Sequence, residues 1–87
     1  MPYLDDFQKN GKIIRTFDNN VNDDELVWHR DKRDRKVIVI CGDGWLIQMD
    51  NELPIPLLMG QTYDIKKEVY HRIWKGKNVL KLEIEEL

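Results

Sequence analysis

Lys36-Val37-Ile38-Val39-Ile40-Cys41-Gly42-Asp43-Gly44-Trp45-Leu46-Ile47-Gln48-Met49 is the stretch whose reading decides the fold. Lys36 to Cys41 is short and β-branched, which suits a pleated strand better than a helix. Gly42-Asp43-Gly44 then turns the chain. Trp45 to Met49 alternates, with Trp45, Ile47 and Met49 on one face and Leu46 and Gln48 on the other, the period of a strand buried on one side.

The same grammar extends in both directions. Upstream, Leu26 to Asp31 is a candidate strand, and Asp18 to Glu25, rich in Asn and Asp, is a loop. Gly11 to Phe17 is a further candidate strand. Downstream, Asp50-Asn51 makes a turn, and Pro54 and Pro56 confine their stretch to an edge or a loop because neither can donate to a ladder. Leu57 to Met59, Thr62 to Ile65, Val69 to Trp74 and Val79 to Ile84 follow as strands, separated by Gly60, by Lys66-Lys67 and by Gly76-Lys77-Asn78. Glu68 to Trp74 is the one stretch with helical length, and its β-branched and aromatic content favours a strand. Many short strands with a turn behind each predict an all-β sandwich or barrel. The barrel domain is expected over residues 26–87, and residues 1–25 form an N-terminal extension with its strand at 11–17.

With 87 residues, one domain is expected. A chain this short buries only about 60 % of its unfolded surface, so self-association as a homodimer would help it. At 41 % hydrophobic and 34 % charged, the composition is that of a soluble globular protein. A formal net charge of -2 argues against nucleic acid as a partner, since no excess of Lys and Arg exists to neutralise phosphates. The one cysteine, Cys41, cannot form an intrachain disulfide. The acidic start has no signal-peptide pattern and no apolar run is long enough to span a bilayer, so a cytoplasmic protein without a membrane partner is expected.

The two histidines, His29 and His71, each fall within an expected strand. Val69, His71 and Ile73 share one face of theirs, which favours an inward imidazole, and Tyr70, Arg72 and Trp74 share the other. On the earlier strand Val27, His29 and Asp31 share a face, opposite Leu26, Trp28 and Arg30. If both histidines point inward, His29, Asp31 and His71 supply two imidazoles and a carboxylate, the facial set that suits non-haem iron and related metals.

On these positions the chain resembles the cupin superfamily. Its second motif runs Gly, five residues, Pro-x-Gly, two residues, His, three residues, Asn. Gly60, Lys66, Glu68, His71 and Lys75 fall on it in register, with Gly60 and His71 keeping the residue type. In the first motif His29, Asp31, Arg35 and Gly42 occupy the positions of His, His, Glu and Gly. The stretch Trp28 to Gly44 and the triplet Tyr70-His71-Arg72 are also similar to short stand-alone cupin-like proteins of phages and cyanobacteria. The resemblance covers roughly residues 26 to 84. It implies a double-stranded β-helix (a small jelly-roll barrel), often dimeric, with a divalent metal held by three histidines and a glutamate. Here the metal would be iron, manganese, nickel or zinc on His29, Asp31 and His71. Arg35 at the glutamate position would repel such an ion and pair instead with Asp31.

Two functional expectations follow. The first is a cupin that binds a small polar ligand in a metal-free barrel lined by His29, Asp31, Arg35, Gln48, Tyr63 and His71, with Gln48 equally readable as a surface residue. The second is a metal-dependent enzyme, dioxygenase- or isomerase-like, using His29, Asp31 and His71. Whether the chain is an enzyme is left open by the residues alone. Trp28, Tyr70, Arg72 and Trp74 on the outer face have the composition of an interface core. Either a partner or the N-terminal segment, through Phe7 or Phe17, is expected to cover them.

Overall fold

The β-branched run becomes the third of eight strands in the computed structural model, which describes residues 2–87. In chain order these are β1 (Tyr3–Phe7), β2 (Ile13–Phe17), β3 (Arg35–Cys41), β4 (Leu46–Met49), β5 (Ile55–Pro56), β6 (Thr62–Ile65), β7 (His71–Trp74) and β8 (Leu80–Glu86). The only helical turn among the described residues is a 3-10 turn at Asp23–Glu25, inside the expected Asn/Asp-rich loop. The chain is all-β.

The strands form a five-stranded sheet, β1-β2-β8-β3-β6, and a three-stranded sheet, β5-β4-β7, with every pair antiparallel. β3 and β4 are consecutive but lie in opposite sheets, so the chain changes layer at Gly42-Asp43-Gly44. Gly44 sits at φ 77°, a left-handed backbone that glycine adopts without a Cβ clash. The inward-facing residues of both layers then meet. Ile13, Phe17, Val37, Val39, Leu80, Leu82 and Ile84 from the larger sheet pack with Trp45, Ile47 and Leu57 into one apolar core. Trp45 is fully buried, and its indole N–H donates to the Asn78 carbonyl at 2.7 Å, so its one polar atom is satisfied. The outcome is a small jelly-roll barrel, with Trp45, Ile47 and Met49 inward as their alternation requires.

Three expected strands differ. Leu26 to Asp31 is not a strand, since only His29 pairs, in an isolated bridge with His71. β7 begins at His71 and not at Val69, because the chain reaches it through a turn in which Glu68 is left-handed at φ 64°. The upstream segment therefore finds a single residue of ladder to join. Leu57 to Met59 is likewise a loop, its amides drawn elsewhere: Leu57 N–H donates to the Trp45 carbonyl, Leu58 N–H to the Tyr63 hydroxyl and Gly60 N–H to the Val39 carbonyl. Residues 1–25 supply two strands instead of the single one expected at 11–17, and β2 pairs with β8 so that both extend the larger sheet.

Candidate metal centre and cavity

His29, Asp31 and His71 come together where the two layers open at one end. The bridge that replaces the expected strand sets their spacing: His29 N–H donates to the His71 carbonyl at 3.0 Å and His71 N–H returns the bond at 2.9 Å. The turn before β7 fixes Asp31, since the Glu68 N–H donates to the Asp31 carbonyl at 2.8 Å. One ligating atom from each of the three residues lies within 4.8 Å of the other two.

The imidazoles are oriented from behind. Nδ1 of His71 is 2.8 Å from the Val69 carbonyl and Nδ1 of His29 is 3.1 Å from the Val27 carbonyl. A carbonyl only accepts, so both Nδ1 atoms carry the proton and both Nε2 atoms face Asp31. Nε2 of His71 is 3.3 Å from Asp31 Oδ2 and that of His29 is 3.9 Å from Oδ1. Neither approach is a well-directed hydrogen bond, and Asp31 Oδ2 is buried with no hydrogen-bond donor among the described residues. His71 and Asp31 are buried, whereas the His29 side chain is 46 % exposed.

Arg35 completes the cluster, as expected from its place at the glutamate position. Its Nη1 stands 3.4 Å from Asp31 Oδ1, while Nε and Nη2 donate to Glu86 at 3.2 and 3.1 Å. Burial pushes the Asp31 carboxyl up, but His71, Arg35 and His29 together outweigh it and hold Asp31 below its ordinary range. The carboxylate is therefore ionised at neutral pH.

A cavity of about 370 Å³ opens beside these groups. Val37, Ile47, Leu57, Ile65, Leu82 and Ile84 form much of its wall, and its polar lining includes His29, His71, Arg35 and Arg15. Tyr63 lines it too, but its hydroxyl is committed, donating to the Pro56 carbonyl and accepting from Leu58 N–H at 2.8 Å each. Gln48 is a correction. Its carboxamide oxygen accepts from Arg72 Nε at 3.1 Å and from Trp74 Nε1 at 3.0 Å, so it belongs to the outer face and not to the cavity. The reason is its phase on β4, opposite inward-facing Ile47.

The outer face is organised around Arg72, whose guanidinium lies 4.8 Å from the Trp28 ring and 4.1 Å from the Trp74 ring, while Arg30 lies over Tyr70. Neither Phe7 nor Phe17 covers these rings. Phe17 packs inside against Tyr3 and Trp45, and Phe7 is exposed on the five-stranded sheet.

The residue that sequence reasoning missed is Arg15. It points inward between Ile13 and Phe17, forms a two-pronged pair with Asp5 at 2.8 and 2.9 Å, and stacks 3.7 Å from the Tyr3 ring. Burial works against its charge, and Asp5, Tyr3 and Asp31 outweigh it, raising its pKa. The alternation of Gly11 to Phe17 held that signal, because Arg15 shares the face of Ile13 and Phe17.

No protein-family model matches the sequence, and no curated protein matches it. Solved structures do. A cupin domain from Bordetella pertussis Tohama I superposes with a TM-score of 0.68 at 17 % identity, covering 98 % of this chain and 93 % of that one. The chain has the cupin fold. A protein from Neisseria meningitidis matches this chain with a TM-score of 0.66 at 18 % identity over 98 % of the chain and 82 % of its own. Iron(II) HppE matches at 0.68 and 16 % identity over 87 % of the chain. This chain spans 42 % of the length of that protein. Glu68, left-handed at φ 64°, falls on a glycine position of the motif that the sequence resembles, and that backbone conformation is one glycine adopts readily.

Proposed function

We propose that this chain is a small metal-binding cupin in which His29, Asp31 and His71 hold one divalent transition ion beside a ligand cavity. The observation that carries this reading is the buried Asp31 Oδ2, which lacks a donor while two Nε2 atoms converge on its carboxylate. With Nδ1 donating to a carbonyl, each neutral imidazole has its Nε2 lone pair free for a cation, which would also give the buried Asp31 Oδ2 the partner it lacks. Nδ1 donation to a carbonyl is also the outer-shell bond that orients metal-bound histidines. Bonds of about 2.0–2.2 Å leave two ligand atoms at most roughly 4.4 Å apart. The cluster at 4.8 Å needs only a small inward rotation, for which the half-exposed His29 has room.

Such an ion would supply Lewis acidity, and if iron a redox centre, at the cavity wall. The chain's own residues do the rest: His71 and Asp31 are fixed by the turn at 66–69, the aliphatic wall excludes water, and Arg35 presents positive charge next to the centre. A metal-dependent dioxygenase or isomerase would use this same arrangement. The second reading, a metal-free cupin that binds its ligand by hydrogen bonds, is favoured by Arg35 Nη1 at 3.4 Å from Asp31. There the Arg35 guanidinium neutralises the carboxylate.

Chelator-treated protein titrated with iron(II), manganese, nickel and zinc, followed by elemental analysis after desalting, separates the two. One ion per chain, lost in His71→Ala and held as tightly or more tightly in Arg35→Gln, is the expected result. Retention of no ion by either the unmodified chain or Arg35→Gln rejects the metal reading in favour of the second.

A further inference from the structure

The cavity's lining is divided, and the division specifies a class of ligand. Val37, Ile47, Leu57, Ile65, Leu82 and Ile84 give one continuous aliphatic wall. The Gln48 amide lies on the outer face and the Tyr63 hydroxyl is saturated by backbone partners, so neither is available to recognise a polar body. The charged and polar lining includes His29, His71, Arg35, Glu25 and Arg15, and Arg15 is already held in a two-pronged pair with Asp5. A polyhydroxylated or multiply charged ligand would leave its groups unpaired against the aliphatic wall, at a cost that a hydrocarbon body avoids.

Arg35 selects the head group. A guanidinium matches a carboxylate with two parallel N–H bonds. Its present partner for those bonds, Glu86, is 38 % exposed and can return to water when displaced, whereas Asp31 is buried and held farther off, at 3.4 Å. An incoming carboxylate can therefore take the place of Glu86 on Arg35 while its chain lies along the aliphatic wall. At about 370 Å³ the space lies near the low end of the roughly 300–1,000 Å³ range of ligand pockets.

We infer that the cavity binds a small monocarboxylic acid with a hydrocarbon body, its carboxylate at Arg35 and its tail against Val37, Leu82 and Ile84. This refines the small polar ligand expected from the sequence, and it rests on the reading of the barrel interior as a ligand site.

Octanoate, 1-octanol and succinate serve as probes, each titrated calorimetrically into zinc-loaded and chelator-treated protein, with magnetisation transfer from ligand protons to protein methyl groups recorded by NMR. Octanoate is expected to bind with transfer to the methyls of Val37, Leu82 and Ile84. 1-Octanol is expected to bind at least about tenfold more weakly, because it forgoes charged hydrogen bonds to Arg35, and succinate should not compete. Arg35→Gln should erase the preference of octanoate over octanol, and Ile73→Phe should block both by filling the cavity. Transfer in the unmodified protein decides the matter if either variant fails to fold. Succinate binding as well as octanoate, octanol matching octanoate, or octanoate contacting the Trp28 and Trp74 rings instead of the core methyls would each overturn the inference. Octanoate binding in protein that retains no metal sinks the metal reading and leaves this one standing; metal retained with octanoate unbound does the reverse.

Discussion

The two ends of the barrel are built from the same strands and serve opposite purposes. On β3, Val39 lies toward one end and Arg35 toward the other; on β8 their partners are Leu82 and Glu86. The first end is closed. Trp45, Leu80 and Val39 are fully buried there, and a Cβ added at Gly76 would lie 2.4 Å from both the Asp43 carbonyl and the Trp45 ring. The second end holds Asp31, a carboxylate with an unsatisfied oxygen, with Arg35 beside it and the cavity adjoining. Tight apolar packing stabilises the domain at one end, and the other end carries buried polar groups that are only partly satisfied.

Substitutions should expose this contrast. The largest effect is expected from Trp45→Ala, which removes the biggest fully buried side chain and should lower stability by about 3–5 kcal/mol. Chemical denaturation measures it, and a loss near zero would mean that the closed end is not where stability resides. At the open end, Asp31→Asn should cost less, about 1–3 kcal/mol, because it removes one buried partner of Arg35 while Arg35 keeps Glu86. It should nonetheless abolish metal retention.

The same variant tests the electrostatics of Asp31 in metal-free protein. The carboxyl is held below its ordinary value of 3.8 in the folded chain. Its stabilising contribution is thus complete above that value and fades as pH falls through the lower folded-state value. Denaturation midpoints recorded from neutral pH down into the acid range should drop less steeply for Asp31→Asn than for the unmodified chain. Equal slopes would remove Asp31 from the acid response.

The smallest effect sharpens the link between the turn and the site. Glu68→Gly restores the residue type that the left-handed φ favours, and should stabilise by roughly 0.5–1 kcal/mol despite losing an exposed ion pair with Arg30. Thermal unfolding shows the gain, and a loss instead would mean that the Glu68–Arg30 pair outweighs the backbone preference.

Several parts of this arrangement are readable from local pattern. The alternation of Val69 to Trp74 places His71 and Ile73 inward and Tyr70 and Trp74 outward, as found. The motif spacing around Gly60 and His71 points to the fold that the solved structures share. Gln48 and Arg15 show where reading was harder. Both alternate plainly with apolar neighbours, but a polar residue between hydrophobes gives no sign of whether it meets solvent or a buried carboxylate partner such as Asp5.

The sequence by itself determined the strand-rich class, the positions of the main turns and the face each β7 side chain would take, because alternation depends only on neighbouring residues along one strand. Tertiary structure alone decided that β3 and β4 part into different sheets, that a one-residue bridge sets His29 against His71, and that Arg35 reaches Glu86. The His29–His71 and Arg35–Glu86 pairings join residues far apart in the chain. They are fixed by which edges remain free once the core has closed, a quantity that no local pattern contains.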